Sequence, residues 1–570
     1  MRGYRCGMYV KLTKSGPRRY IQLVEGYRDD QGRSRQRTIA SLGRLEQIDQ
    51  NFESVIRGLE RVTGRKRTPA GEPPSIVYEP ARDLGDVWSL TSLWNELGFD
   101  RLARTFRSQR RQIDIEALLR VMVFNRLCDP ESKLGVLRWL ETVCLPGIDG
   151  SAIAHQHLLR AMDALIEERA AVDEVIASLL RPLVDHDLSV VFYDLTTITV
   201  EGEGQEVGDV RAFGHSKDGG IRRQFVLGVV QTADGLPIFH EVFEGNVSEL
   251  TTLESTLKTV MTRFPIKRVI AVADRGLLSL DNLATLQAMT TPSGVPLEFI
   301  LAVPGRRYHE FESLLRPFHD KQCKKADTEV TGEAAWNDLR LVVCHDPEAA
   351  AERTGKRDQL IKGLEDQAAE WVEKLEAQEG GRRARGRPLS DGGARAKFYH
   401  QVLEARLGQI IRVDLKSELF SYTIDRKARR LAEMMDGKLL LVTNTRDIEP
   451  KEVVQRYKSL ADIERGFRVL KSEIEIGPVF HRLPDRIRAH AYICFIALIL
   501  HRVIRMRLRA TDQPLSPERA LAALRRIQRH SVQLNSQRHT GITTLTDEQR
   551  DLLASLKVQK PRESEQLPLL

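Results

Sequence analysis

The chain has 570 residues, 41% hydrophobic and 29% charged. That is too long for a single core and too apolar for a disordered chain, so about three or four folded units are expected. The formal net charge is +8, and the cations cluster: at Arg33, Arg35 and Arg37, at Arg65, Lys66 and Arg67, in the run from Gly380 to Pro388, and after Arg502. Clustered cations favour a polyanion, most simply nucleic acid. The six cysteines are scattered and none forms a CxxC pair, which argues against a disulfide scaffold or a zinc knuckle. Residues Met1 to Lys14 carry no apolar signal segment. The apolar run Ala491–Leu500 is about half of the ~20 residues a membrane span needs, so it reads as a buried helix. The expectation is a cytoplasmic, reduced protein with no membrane partner.

In chain order, 1–68 reads as a small basic β-hairpin module. RYIQLVEGY and RSRQRTIASL alternate in the manner of strands around the turn Asp29-Asp30-Gln31-Gly32. Residues 69–85 form a linker, rich in Pro and Gly from Pro69 to Pro80. Residues 86–185 switch to helical spacing, with Val87, Leu90, Leu93, Trp94 and Leu97 on one face, and with Trp88 and Trp94 expected in the core. This helical domain, beside a basic hairpin module, is a candidate for reading DNA. Residues 186–305 carry the strands SVVFYDLTT, RQFVLGVVQT, LPIFHEVF, KRVIAVAD and LEFILAVP, with a tight turn at Ala233-Asp234-Gly235 and a helix from Thr251 to Phe264. Three strands, a helix and further strands is the order of a ribonuclease-H-like core. Residues 306–437 are too many for a loop and must fold as an insertion domain. Within it, Leu339–Cys344 and SELFSYTID are strand-like and Pro347 to Gln378 is helical. Residues 438–510 return to the core with KLLLVTNT and an acidic helix. Residues 511–570 form a C-terminal helix and tail, in which RRIQRH (Arg525 to His530) is amphipathic and basic and the residues after Lys557 read as disordered. The fold class expected is therefore multidomain α/β.

The chemistry is expected at three carboxylates. Asp194 in VVFYDLTT and Asp274 in VIAVADRGLLS each end an apolar strand, where α/β sheets place their chemistry. Glu464 lies on EVVQRYKSLADIERGFRVLKSEI, read as one continuous helix with Val453, Tyr457, Leu460, Glu464, Phe467 and Lys471 on a single face. A carboxylate on a burying face is costly unless compensated, although a charge at the edge of the stripe would simply reach water. Three carboxylates brought together repel one another unless a divalent cation holds them ionised. Magnesium suits such a set, and two ions about 4 Å apart can serve phosphodiester chemistry. His215, Ser216 and Lys217 read as a loop beside the DNA channel, and His490 and His501 as core or boundary histidines.

YDLTT, ADRGLLS and the segment from Tyr457 to Lys471 resemble the signatures of DDE transposases from bacterial insertion sequences. The branch is the one whose acidic helix reads Tyr-x2-Arg-x3-Glu-x6-Lys and whose catalytic domain is interrupted before that helix. GHSKDGG at Gly214 to Gly220 and FEGNVSE at Phe243 to Glu249 are similar to the same branch. The resemblance implies Asp194, Asp274 and Glu464 as ligands of Mg2+ or Mn2+, two ions, and Tyr457, Lys471, Arg468 and Arg275 as contacts to DNA phosphates. Leu460 stands at the signature arginine, so Lys458, Arg465 or Arg468 would supply that contact. It further implies cleavage at the element's terminal inverted repeats and joining to target DNA, by a homodimer on DNA. A structure-selective nuclease of the same fold, or a DNA-binding regulator derived from a transposase, are the alternatives.

Overall fold

The computed structural model describes residues 7–49, 51–64, 76–107, 113–184, 190–202, 208–217, 219–232, 234–247, 249–264, 270–273, 280–290, 294–380, 388–511, 515–534 and 537–561. The chain divides into two compact units, Met1–Glu79 with Ser531–His539, and Pro80–His530 with Thr540–Leu570.

The first unit is built on β1 (Met8–Ser15), β2 (Arg18–Arg28) and β3 (Ser34–Arg44), a three-stranded antiparallel sheet in the order β1-β2-β3. The hairpin expected from the sequence is its β2–β3 half. Its turn is held by Asp29, whose carboxylate accepts from the backbone N–H of Gln31 at 3.1 Å and of Arg33 at 2.9 Å, the local bonding that suits Asp to turns. Two helices follow, α1 (Leu45–Asp49) and α2 (Phe52–Thr63). Within the expected linker, Ile76–Tyr78 forms a strand, β4, which pairs antiparallel with residues 532–534.

The second unit begins with β5 (Arg82–Asp83) and a helical layer of α3 (Gly85–Leu97), α4 (Leu102–Arg107), α5 (Ile115–Cys128), α6 (Gly135–Thr142), α7 (His155–Glu167) and α8 (Arg169–Leu180). Asp114 caps α5, accepting from the Ala117 N–H at 3.1 Å. Trp94 is fully buried, stacked on Phe99 at 4.8 Å and edge-on to Phe124 at 5.8 Å. Its indole N–H donates to Glu116 at 2.7 Å. Trp88 is buried too, so both tryptophans are core residues, as their spacing predicts.

The sheet follows: β6 (Val190–Thr199), β7 (Ala212–His215), β8 (Ile221–Thr232), β9 (Pro237–Glu244), α9 (Glu249–Arg263), β10 (Ile270–Ala273), α10 (Leu280–Ala288) and β11 (Glu298–Ala302). Its spatial order is β9-β8-β6-β10-β11, with β6, β8 and β9 mutually antiparallel and β10 and β11 parallel to β6. Three meandering strands followed by two parallel crossovers make this a ribonuclease-H-like core, and β7 pairs with the opening residues of β8.

The insertion comprises α11 (Glu312–Lys321), β12 (Val330–Trp336), β13 (Leu339–His345), α12 (Pro347–Glu379), α13 (Asp391–Glu404), β14 (Ile411–Val413), β15 (Tyr422–Ile424) and α14 (Arg426–Met435), after which β16 (Lys438–Thr443) returns. Part of it belongs to the main sheet. β16 lies between β11 and β13, antiparallel to both, and β12 extends the sheet beyond β13. The remainder closes on its own core of Ile361, Leu364, Ala368, Phe398, Val402, Ile411 and Phe420.

The chain then runs through α15 (Pro450–Lys458), α16 (Leu460–Ser472), α17 (Pro484–Arg509), α18 (Pro517–Arg525), β17 (Gln528–Leu534), β18 (Gln537–Ile542) and α19 (Asp547–Ser555). Three corrections follow. The acidic segment is two helices that break at Ser459, and RRIQRH passes from the end of α18 into β17, so it is not one amphipathic helix. The tail is ordered beyond Lys557, since Val558 is buried; residues 562–570 lie outside the described residues. Among the described residues α17 is long and apolar enough to cross a bilayer, but 94% of its most apolar stretch is buried. It packs on α5, α7 and β9, the place of a helix that is apolar all round.

Candidate functional site

β6 carries Asp194 as its fifth residue, paired across β8 with Val229. The acid is therefore mid-strand, where the sequence reading has it ending the strand. The reason is that β8 is long enough to hold β6 on one edge as far as Thr199, whereas β10 pairs with it on the other edge only from Val190 to Phe192. Asp194 stands two residues past that last parallel pair. Its side chain lies outside the described part of the structure, as do Asp274 and Arg275 altogether; β10 is described to Ala273.

Glu464 lies on α16 and is exposed. The burying face of that helix carries Leu460, Gly466, Phe467, Val469 and Leu470. The reading of Glu464 as a charge on a burying face is thus corrected: a solvated carboxylate bears no desolvation cost. Stepping by sevens through the sequence carries one stripe across the break at Ser459, and it is after that break that the burial shifts.

Gly466 sets how closely α16 approaches the sheet. A Cβ there would stand 2.9 Å from the Gln231 amide nitrogen and 3.0 Å from an Arg502 guanidinium nitrogen. Gln231, the last residue but one of β8, lies directly opposite Phe192 of β6. So the helix bearing Glu464 rests, two residues on, against the pair of strands bearing Asp194.

The other sequence-derived positions separate by environment. Lys471 is half-buried at the last turn of α16 and lines a hollow of about 300 Å³ with Thr197 and Thr199 of β6, Glu201 and Arg222. Tyr457 is half-buried and Arg468 is exposed. Leu460 is 5% exposed and packs in the core, so no phosphate contact is available at that position. Of the residues considered in its place, Lys458 forms an ion pair with Glu329, which raises its pKa; Arg465 and Arg468 are exposed. The His215–Lys217 turn is tied back to β6. The Lys217 backbone N–H donates to the Thr197 hydroxyl at 2.9 Å, and its ammonium donates to the Leu195 carbonyl, next in sequence to Asp194. Chain order alone carries no sign of that closeness, though the GHSKDGG motif flags the turn.

A cluster missed in the sequence joins the end of α16 to α17 and α18. His501 Nε2 lies 2.6 Å from Glu518 Oε1 and 3.4 Å from Glu473 Oε2. Burial of His501 works against its charge, but the hydrogen bonds to Glu473 and Glu518 prevail and raise its pKa. The signal was absent because the three residues are far apart in the chain and no motif joins them. His490 is buried as well, with Nε2 2.9 Å from the Ile476 carbonyl oxygen.

Comparison with known proteins gives two family matches. Residues 10–72 match the model described as IS1634 family transposase, N-terminal domain, and residues 185–500 match the model described as Transposase DDE domain. Among solved structures, the chain is similar to a cryo-EM structure of a piggyBac transposase synaptic complex with hairpin DNA. Identity is 9% over 77% of this chain and 78% of that one, with a TM-score of 0.34. No curated protein matches. The DDE match spans more than half of the chain, and the chain belongs to the DDE transposases of bacterial insertion sequences.

Proposed function

We propose that this transposase cleaves DNA at the ends of its element and joins the freed 3′ ends to target DNA, with Asp194, Asp274 and Glu464 as its acidic centre. The observation that carries the reading is the register of β6 and β10. Their last parallel pair is Phe192 with Val272, and two residues on in each sequence stand Asp194 and Asp274. Residues at equal steps along neighbouring parallel strands share a face. The approach of α16 at Gly466 to Gln231, opposite Phe192, supports Glu464 as the third member.

An all-carboxylate donor set fits magnesium or manganese, hard cations that take oxygen ligands. Two such ions held by the three acids would supply an activated water or 3′-hydroxyl and stabilisation of the leaving oxygen. The chain's own work is to hold the phosphates. Lys471 faces the hollow beside Thr197 and Thr199, and Tyr457, Arg468 and Arg275 share the role. With Leu460 buried and Lys458 committed to Glu329, the place of the signature arginine falls to Arg468 or Arg465. Two ends brought together require two copies on DNA.

The test uses purified full chain, duplex carrying the element's terminal repeat, magnesium and a target plasmid. Asp194→Ala, Asp274→Ala and Glu464→Ala are each expected to abolish cleavage and to bind end DNA as the parent does. Cleavage retained in any of them removes that residue from the centre, and cleavage without joining turns the reading to a nuclease.

A further inference from the structure

Lys133, in the turn between α5 and α6, is 6% exposed, and among the described residues it has neither a hydrogen-bond acceptor nor a carboxylate partner. A buried ammonium with no counter-charge is costly. Burial first, then Arg126, lowers its pKa to about 7. It lines a cavity of about 580 Å³ whose other wall is the segment Glu475, Gly477–Leu483.

The cationic side chains facing Lys133 are Arg126 from α5, Arg482 from the segment after α16 and Arg486 from α17, with the rings of His155 from α7, His481 and His490 beside them. Burial lowers the His481 pKa to about 4 and holds that of His490 well below its ordinary value, so neither ring supplies a charge at neutral pH. Arg486 is already bound to Asp163, at 2.8 and 2.9 Å. Arg126 donates to the Ile474 and Glu475 carbonyls, which fixes the segment in place. The wall holds two carboxylates, Glu131, 3.7 Å from Arg138, and the exposed Glu475. Neither pairs with Lys133, which is left without a counter-ion among the described residues.

Its position says which anion. Gly477 and Pro478 also wall the hollow lined by Lys471. Their segment is pinned to the end of β6, with the Val479 N–H donating to Thr199 at 3.0 Å and the Glu201 N–H donating to Val479 at 2.9 Å. A chain of phosphates lying on Lys471 needs to cross only this segment to reach Lys133. Phe480 stands at the rim, 71% exposed, an apolar ring of the kind on which bases stack.

We infer that Lys133 and Arg482 bind a backbone phosphate of the DNA strand that leaves the acidic centre, with the Phe480 ring against a base. The inference rests on the reading of the chain as a DNA-cutting transposase.

The test uses the full chain with sodium sulfate, and separately with a single-stranded oligonucleotide of about ten nucleotides. Sulfate is expected to raise the melting temperature of the parent. Lys133→Met, which removes the uncompensated charge, should melt higher than the parent in sulfate-free buffer and gain less from sulfate than the parent, keeping only the general stabilisation that sulfate gives any folded protein. Its oligonucleotide affinity should fall about tenfold or more, and Arg482→Ala, at an exposed position, should weaken binding while folding normally. Above pH ~7 the empty site must take up a proton to bind, so the parent's affinity should fall by up to about tenfold per pH unit, a slope Lys133→Met should lose. Parent-like affinity and slope in Lys133→Met, or a lower melting temperature in sulfate-free buffer, would overturn the inference. If the parent fails to cut end DNA yet shows the Lys133-dependent slope, the pocket stands and the cleavage reading falls.

Discussion

Replacing Gly466 by alanine sets two effects of known size against each other. In the middle of α16, alanine is favoured over glycine by about 1 kcal/mol. Against this, the new methyl would stand 2.9 Å from Gln231 and 3.0 Å from Arg502, side chains that are 0% and 2% exposed and so have no solvent to move into. Overpacking of this kind costs about 1–3 kcal/mol. The net expectation is a loss of ~0–2 kcal/mol, read by urea denaturation, with α16 eased away from β8. Since Glu464 is two residues from the contact and a 1 Å displacement of a reacting group costs ~100-fold, a shift of a few tenths of an ångström should lower end cleavage by roughly tenfold and leave DNA binding intact. A Gly466→Ala protein that gained about 1 kcal/mol and cut normally would refute the close approach of helix and sheet.

Arg525 Nε lies 2.9 Å from Asp86, which is 0% exposed; Arg525→Ala should cost about 3–5 kcal/mol in urea unfolding by leaving that carboxylate uncompensated. Burial raises the Asp86 pKa, against the pull of Arg525. The variant should therefore be relatively most stable below the ordinary aspartate range and lose stability as pH rises through the raised value; a flat profile would contradict this. His501, with its pKa raised by Glu473 and Glu518, contributes stability that is complete below about pH 6.5 and lost as pH rises through the folded value. The urea midpoint of His501→Asn should lack that decline, and an unchanged pH profile would be the contrary result. Phe398, fully buried, packs 4.8 Å from Tyr422 and 5.4 Å from Phe420. Phe398→Ala should cost the insertion core about 3–5 kcal/mol, with protease cuts appearing between α12 and α14 while amide protection persists in β6, β8 and β11. Loss of protection throughout would mean that the two cores unfold together.

Much of the core was legible because its strands are apolar, β-branched and close in the chain. SVVFYDLTT, RQFVLGVVQT and LPIFHEVF became β6, β8 and β9, and the helix after them became α9. The insertion was legible from its length, but the membership of β12 and β13 in the main sheet was not, since pairing with β16 depends on residues far away in sequence. The break at Ser459 left no mark either: its backbone is still right-handed helical, at φ −65° and ψ −15°, so no glycine or proline was needed to make it. QRHSVQL is polar enough to pass for a helix end, and it is paired as β17. Lys133 is one lysine among many until the segment after Glu475 folds over it. Asp194 and Asp274 stood out in the sequence because each follows an apolar, β-branched run, whereas the exposure of Glu464 depends on how α16 turns against β8.

The position of β16 between β11 and β13 has a consequence for synthesis. A ribosome completes β6, β8, β9, β10 and β11 early, yet β11 gains its second neighbour only after the whole insertion has been made, and α16 follows later still. At ~5–20 residues per second, the insertion alone takes on the order of ten seconds. A truncated product ending anywhere in that interval lacks the helix that rests on Gln231. Glu464, the acid proposed above as the third of the centre, thus reaches its place only after the core strands and the whole insertion have been made.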